Sequence, residues 1–309
     1  MKPRLLAAIL LAGLLLTGCS IQVQPVENPR QIYAGFYPVY ALTAPLLENA
    51  EKLQLKCLTQ PQDGCLRDYA LSDWDLSVVA YDADAVVLAG RGLESFESSL
   101  YALGKDGPAV ITAMTGAVLY NQGKTGGEET SHFETENPYY YLSIPGAIVM
   151  TEQICQGLAE LYPDQGEIIT ENGEAARAKL ENLRAECLEI TGGCAGKKVA
   201  ILNEAAIYPA LDYGLQAVYQ FDRESTTTVY GESMEKLVEE IRNSGAQAVL
   251  IEDSAPTELT EALEEAGFPV VKLNLMTAYA QDAGAEGYYE AQRSNARAIA
   301  EALGGEESN

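Results

Sequence analysis

Only one histidine, six cysteines and a few closely spaced acids carry side chains suited to chemistry in this 309-residue chain. The histidine, His132, sits in a run dominated by Gly, Thr, Glu and Ser. A Ser-His-Asp or Cys-His arrangement needs a histidine held rigidly beside its nucleophile, so His132 reads as a solvated loop residue. No two cysteines have the Cys-x-x-Cys spacing of a redox or zinc site. Asp73/Asp75 and Asp82/Asp84 fit helix starts and solvated faces better than acid–base pairs. No glycine-rich phosphate loop stands at a strand–helix junction. Binding is a better reading of this chain than catalysis.

Cys19 belongs to a different chemistry. Lys2 and Arg4 lead a twelve-residue apolar run, Leu5 to Leu16, closed by Leu16-Thr17-Gly18-Cys19. A positive start, a short apolar segment and small residues describe a secretory signal. The run is too short to span a bilayer, which takes about twenty residues. Thr-Gly-Cys marks the lipoprotein form of that signal, with residues 1–18 removed and Cys19 lipidated. The mature chain is therefore expected outside the cytoplasmic membrane of a bacterium, held at its surface by acyl chains. In an oxidising compartment the other cysteines are expected to pair. Cys57 with Cys65 and Cys187 with Cys194 are the local choices and leave Cys155 over, although sequence alone does not fix connectivity. The net charge of −25 sets aside a nucleic-acid partner and disfavours anionic lipid headgroups.

The elements that position these residues alternate along the chain. A tether occupies residues 19–31. Strand patterns follow at Ile32–Phe36, Asp84–Leu88 and Ala109–Thr112, with helical patterns at Val39–Leu53 and Leu93–Leu103. Such alternation predicts parallel strands with helical crossovers. Asn121–Pro138 breaks the rhythm as a long loop. Helices are predicted over Ala147–Leu161 and Gln165–Ile190, the second with Leu180, Leu183 and Leu188 as its apolar stripe and Gly192-Gly193 as its stop. Strands resume at Lys198–Leu202, Gln216–Phe221, Ala248–Ile251 and Pro269–Leu273, and a last helix covers Glu286–Leu303. The expected fold is α/β: an N-terminal lobe (32–163), a linking helix (164–193) and a C-terminal lobe (194–309).

On that frame lies a set of motifs. Arg67-x-Tyr69-x-x-Ser72-x-x-Asp75, Ala83-Asp84-Ala85-Val86-Val87 and Gly90-Arg91-Gly92-Leu93-Glu94 resemble a block of the zinc/manganese-type substrate-binding proteins of ABC importers. Phe36-Tyr37-Pro38 is similar to that family's first strand end. Asn137-Pro138-Tyr139-Tyr140-Tyr141-Leu142 resembles its Asn-Pro-His-x-Trp-Leu segment. Asn203-Glu204-Ala205, with Tyr208 and Tyr213-Gly214-Leu215, resembles its His-Asp-Ala to Tyr-Gly-Leu segment, and Lys272-Leu273-Asn274 stands where the family has Leu-Asp. The resemblance runs in order through nearly the whole chain after Cys19.

The resemblance implies two α/β lobes joined by a rigid helix, a ligand cleft between them, and capture of a small solute for a permease in the membrane by a monomeric receptor. It also implies where the ligand sits. The family's three histidines and one acid, which hold a transition metal, fall on Arg67, Tyr139, Asn203 and Asn274. Arginine cannot become a metal ligand, and a fixed positive charge repels a divalent cation. One Arg, two Asn and one Tyr instead suit an anionic or polar solute, with Arg67 as a bidentate partner. Asp68, Glu204 and Asp212 are the nearby acids that would rescue a metal site in a shifted cleft. A third reading is a surface adhesion or scaffold protein in which the four residues satisfy one another. No resident cofactor is implied.

Overall fold

The structure, a computed structural model, describes residues 28–60, 69–117, 119–120, 136–221, 231–277, 279 and 281–304. Its first half runs β1 (Arg30–Ala34), α1 (Tyr37–Thr43), β2 (Leu53–Cys57), α2 (Asp73–Asp82), β3 (Ala85–Leu88), α3 (Glu97–Ala102) and β4 (Ala109–Thr112). Two long helices follow, α4 (Ile144–Leu161) and α5 (Gly166–Ile190). The second half is β5 (Lys198–Ile201), α6 (Ile207–Asp212), β6 (Gln216–Gln220), α7 (Glu232–Ser244), β7 (Ala248–Glu252), α8 (Thr257–Glu265), β8 (Val270–Leu273) and α9 (Gly284–Leu303).

The strands form two parallel four-stranded sheets, ordered β2-β1-β3-β4 and β6-β5-β7-β8. Both sheets therefore have one topology, and in each the order reverses beside its first strand. In open parallel sheets such a reversal opens a crevice at the strand C-termini, where ligands bind. The expected α/β class with two lobes and a long helix is what the chain adopts.

Helices cover both faces of each sheet, so the central strands are apolar without alternation. Ala85 and Val87 of β3 join a core shared by both lobes, while Val86 and Leu88 face a smaller cluster with Val79, Phe96 and Leu100. In β7, Ala248 and Leu250 face the shared core, and Val249 and Ile251 pack with Leu237, Ile241 and Leu263. Proline-free α5 is about 38 Å long at 1.5 Å per residue. It buries Ile169, Gly173, Ala176, Leu180, Leu183 and Cys187, a 4-3-4-3-4 spacing that keeps one seam inward. Leu188, placed on this stripe by its spacing, is exposed instead. Gly173 permits close packing on α4, because a Cβ there would stand 2.4 Å from the Cys155 sulfur.

Two expectations change, and one helix adds to the predicted elements. The helical pattern over Val39–Leu53 resolves into α1, a 3-10 turn (Ala44–Leu47) and the start of strand β2. Helix α2 arises where the sequence shows no amphipathic stripe, with Ser72 accepting from the Asp75 N–H as its N-cap. Cys187 and Cys194 are free thiols rather than a disulfide. Cys187 points from the last turn of α5 into the core beside Tyr213, and Cys194 packs against α9 at the Ile299 carbonyl, so the two face different neighbours. Cys57 is buried, and its expected partner Cys65 lies outside the described residues. Cys19 and most of the Asn121–Pro138 loop, His132 included, lie outside them as well. Among the described residues no helix is long and apolar enough to cross a membrane.

Candidate functional site

The strand ends of both sheets meet one short segment, Asn137–Ile144, between β4 and α4. The Asn137 Nδ2 donates to the Glu204 carbonyl after β5 (2.8 Å), and the Tyr208 hydroxyl donates to the Asn137 carbonyl (2.5 Å). Tyr141 reaches both sheets: its ring meets Phe36 edge-on at the end of β1 (5.3 Å), and its hydroxyl donates to the Leu275 carbonyl after β8 (3.1 Å). The Tyr288 hydroxyl and the Gln292 amide of α9 donate to the carbonyls of Tyr141 and Leu142. At the far end Asp212, closing α6, accepts from the Ser143 hydroxyl (3.0 Å) and the Ile144 N–H (2.9 Å). A carboxylate of one lobe thus caps the first turn of a helix of the other. Burial pushes the Asp212 carboxyl up to about 6, against the pull of these hydrogen bonds and of Arg184.

Three of the four residues expected to hold a ligand stand around this segment. Tyr139 is half-buried, its ring 6.4 Å from that of Tyr141. Asn203 directly follows β5 after Leu202, and Asn274 directly follows β8. The two asparagines do not bond to each other. Each asparagine side-chain oxygen accepts from the backbone two residues on: Asn203 from the Ala205 N–H (3.0 Å) and Asn274 from the Met276 N–H (2.8 Å). Asn137 repeats the device, accepting from the Tyr139 N–H (3.0 Å). Such turns hold a loop where the strand stops. The amide nitrogens are also engaged, Asn203 toward the Glu252 carboxylate (3.2 Å) and Asn274 toward the Tyr279 hydroxyl (2.9 Å). Asn295 of α9 brackets Asn274 by bonding both its N–H and its carbonyl. The fourth residue, Arg67, lies outside the described residues, as does Asp68.

Sequence reading missed Glu252, Tyr279 and Asn295. Glu252 had a signal, an acid ending an otherwise apolar strand, and it is 2% exposed. Tyr279 and Asn295 had none. Of the acids considered for a shifted metal site, Asp212 is committed to its helix cap. Among the described residues no three or more His, Cys, Asp or Glu gather where they could hold a metal ion.

A second buried acid sets the rim of the N-terminal sheet. Gly90, Arg91 and Gly92 take φ of +86°, +60° and +79°, which turns the chain after β3 so that the Glu94 carboxylate accepts from the Ala89 and Gly90 N–H groups (2.7 and 3.0 Å). A Cβ on Gly35 would stand 2.7 Å from the Glu94 Oε1, so a side chain there would have to displace the carboxylate from its backbone bonds. Burial pushes the Glu94 carboxyl up to about 7, although both backbone bonds pull it down. Arg91 then pairs with Glu136 (3.0 Å), tying this turn to the entry of the Asn137 segment.

Two like sheets, one connecting helix and a clasp where their strand ends meet define a two-lobed binding protein. Residues 32–302 match the family described as zinc-uptake complex component A, periplasmic, and the chain belongs to it. This is a family of substrate-binding proteins, not enzymes. The zinc-binding lipoprotein AdcA of Streptococcus pneumoniae is 26% identical over 311 aligned positions, covering 97% of this chain. The chain spans about 60% of that relative's length. Among solved structures, the SBP FpvC from Pseudomonas aeruginosa in complex with Mn2+ superposes with a TM-score of 0.76 at 20% identity, over 90% of this chain and 99% of that one. Zn(II)-bound AdcA from S. pneumoniae gives 0.74 at 24% identity, over 89% of this chain and 58% of that one. At these identities the superpositions establish the fold.

Proposed function

We propose that this chain is the extracytoplasmic solute receptor of an ABC importer, anchored by lipid at Cys19, and that its cleft takes an anionic or polar solute in place of a transition metal. The receptor role rests on the family match and the two-lobed fold. The change of solute is supported by the donor set: an arginine cannot ligate a cation, and the two asparagine side-chain oxygens are neutral and each already accepts a backbone N–H. Arg67 is the residue proposed to meet the solute's negative charge, and Tyr139 is proposed as a further contact. Residues 32–163 and 194–309 would form the lobes, with 164–193 linking them and 19–31 as tether.

A screen of small anions by thermal shift on the chain from residue 20 onward tests this reading. A carboxylate or phosphoanion should raise the melting temperature of the wild type and not of Arg67→Ala. Equal stabilisation of both proteins would sink the assignment of Arg67. A zinc receptor is the second reading, favoured by the names of the streptococcal relatives. Metal analysis of the purified chain separates the two, since stoichiometric zinc or manganese at sub-micromolar affinity would overturn the anion proposal.

A further inference from the structure

Away from the strand ends, α4 and α5 leave between them a groove of about 650 Å³ that opens to solvent. That volume lies within the range of small-molecule sites, roughly 300–1,000 Å³. Its lining begins at Glu152, roughly 12 Å along α4 from the Asp212 clasp at Ile144. The groove therefore belongs to neither strand-end loop.

The floor is apolar and low. Cys155 of α4 faces Gly173 of α5 and Ala159 faces Gly166, and the absence of a side chain at Gly173 brings the helices together there. Thr170 flanks this floor with its hydroxyl turned back to the Gly166 carbonyl (2.7 Å), leaving its methyl for the groove.

The rims carry charge of one sign. Glu152 and Glu160 stand on one side, Glu167 and Glu174 on the other. Arg177 is the single base in the lining, and it is already paired with Glu152 (3.2 Å) and Glu181 (3.0 Å). Glu160 accepts only from the neutral Gln156 amide (2.9 Å), and among the described residues no base is paired with Glu160, Glu167 or Glu174. Three uncompensated carboxylates thus surround an apolar trough. A free metal ion finds no converging ligands here. A second copy of the chain would bring the same acidic rim and a net charge of −25, so self-association is opposed.

We propose that this groove is a second binding site, separate from the solute cleft, for a small organic cation with an apolar body. Its chain lies along Cys155, Ala159 and the Thr170 methyl, and its ammonium group meets Glu160, Glu167 and Glu174. Neither half of that chemistry suffices alone, because the rim is exposed and the floor small.

Octylammonium is the probe, with n-octanol and spermidine as the apolar and charged halves. Calorimetric titration of the chain from residue 20 onward should show one saturable octylammonium site. Mass spectrometry should find the iodoacetamide alkylation of Cys155 slowed at saturation. Octanol and spermidine should bind roughly tenfold more weakly, and so should octylammonium to the E160Q/E167Q/E174Q variant, from the loss of several weak charge contacts. Thr170→Trp, on the exposed face of α5, should fill the trough and abolish the site. Ala159→Leu provides a second blocking variant, and circular dichroism confirms that each is folded. Undiminished octylammonium binding in a folded blocking variant, an unchanged Cys155 alkylation rate, or equal binding of octanol would overturn the proposal. None of these outcomes depends on which solute the cleft takes.

Discussion

Glu94 is the residue whose chemistry differs most from its sequence appearance. In a Gly-x-Gly-Leu-Glu turn it looks like a surface acid, yet it is 1% exposed and ionises near 7 rather than 4.5. A carboxyl whose folded-state value is raised holds its proton more tightly in the native protein. Its stabilising contribution is complete below 4.5 and disappears as pH climbs through about 7. Replacing it by Gln should flatten that decline, by an amount on the order of 3 kcal/mol across the window. Urea melts of both proteins at pH 4.5 and 8 check this, and parallel pH dependence in the two would show that Glu94 does not titrate there. Asn203 and Asn274 show the opposite limit of legibility. Motif position predicted them at strand ends, where the structure has them, but nothing in one sequence says where an amide oxygen turns. That choice is local geometry, the i to i+2 bond that ends a strand. Asn274→Ala should therefore cost about 1–2 kcal/mol of stability with or without solute, because it frees the Met276 N–H and the Tyr279 hydroxyl.

At the scale of elements, buried strands and long helices were legible because their patterns are strong. The apolar runs at Asp84–Leu88 and Ala248–Ile251 became β3 and β7, and the proline-free stretch became α5. What hid β2 was a neighbouring helical pattern, and what hid α2 was the lack of any one-sided stripe. Val79 is the buried residue of α2, while Trp74 is 76% exposed and Tyr81 95%. A helix with aromatics on its outer face defeats a periodicity argument. It also makes a clear contrast in cost. Trp74→Ser should change stability by no more than about 0.5 kcal/mol despite the size of the side chain lost. Leu180→Ala, on the inner seam of α5, should cost about 2–5 kcal/mol, and Leu188→Ala on its outer face should cost far less. Equilibrium denaturation of the three variants reads these differences directly. A Leu188 penalty matching that of Leu180 would contradict the seam.

For the molecule as a whole, the lobes are not independent bodies joined by a helix. One continuous core takes Ile32 and Val87 from the first sheet, Ile201 and Leu250 from the second, and Leu158 and Leu180 from the helices between. The Asn137–Ile144 segment then belongs to one lobe by sequence and to the other by its hydrogen bonds. Sequence order alone places it in the N-terminal lobe, because hydrogen bonds between residues 67 to 150 apart in sequence leave no local pattern. Shared burial of this kind couples the lobes, so thermal unfolding should be a single calorimetric transition despite the two sheets. Asp212 is the place to test that coupling. Asp212→Ala strands the Ser143 hydroxyl and the Ile144 N–H, which should cost about 1–3 kcal/mol and lower the one transition rather than split it. Asp212→Asn isolates the charge. The raised Asp212 carboxyl gives stability that is complete below 3.8 and lost as pH rises through about 6, so this variant should show a shallower fall across that window than the wild type. Two resolved transitions in the wild type, or an Asp212→Ala melt in which only one sheet's half of the protein moves, would mean that the clasp holds a loop rather than the two lobes.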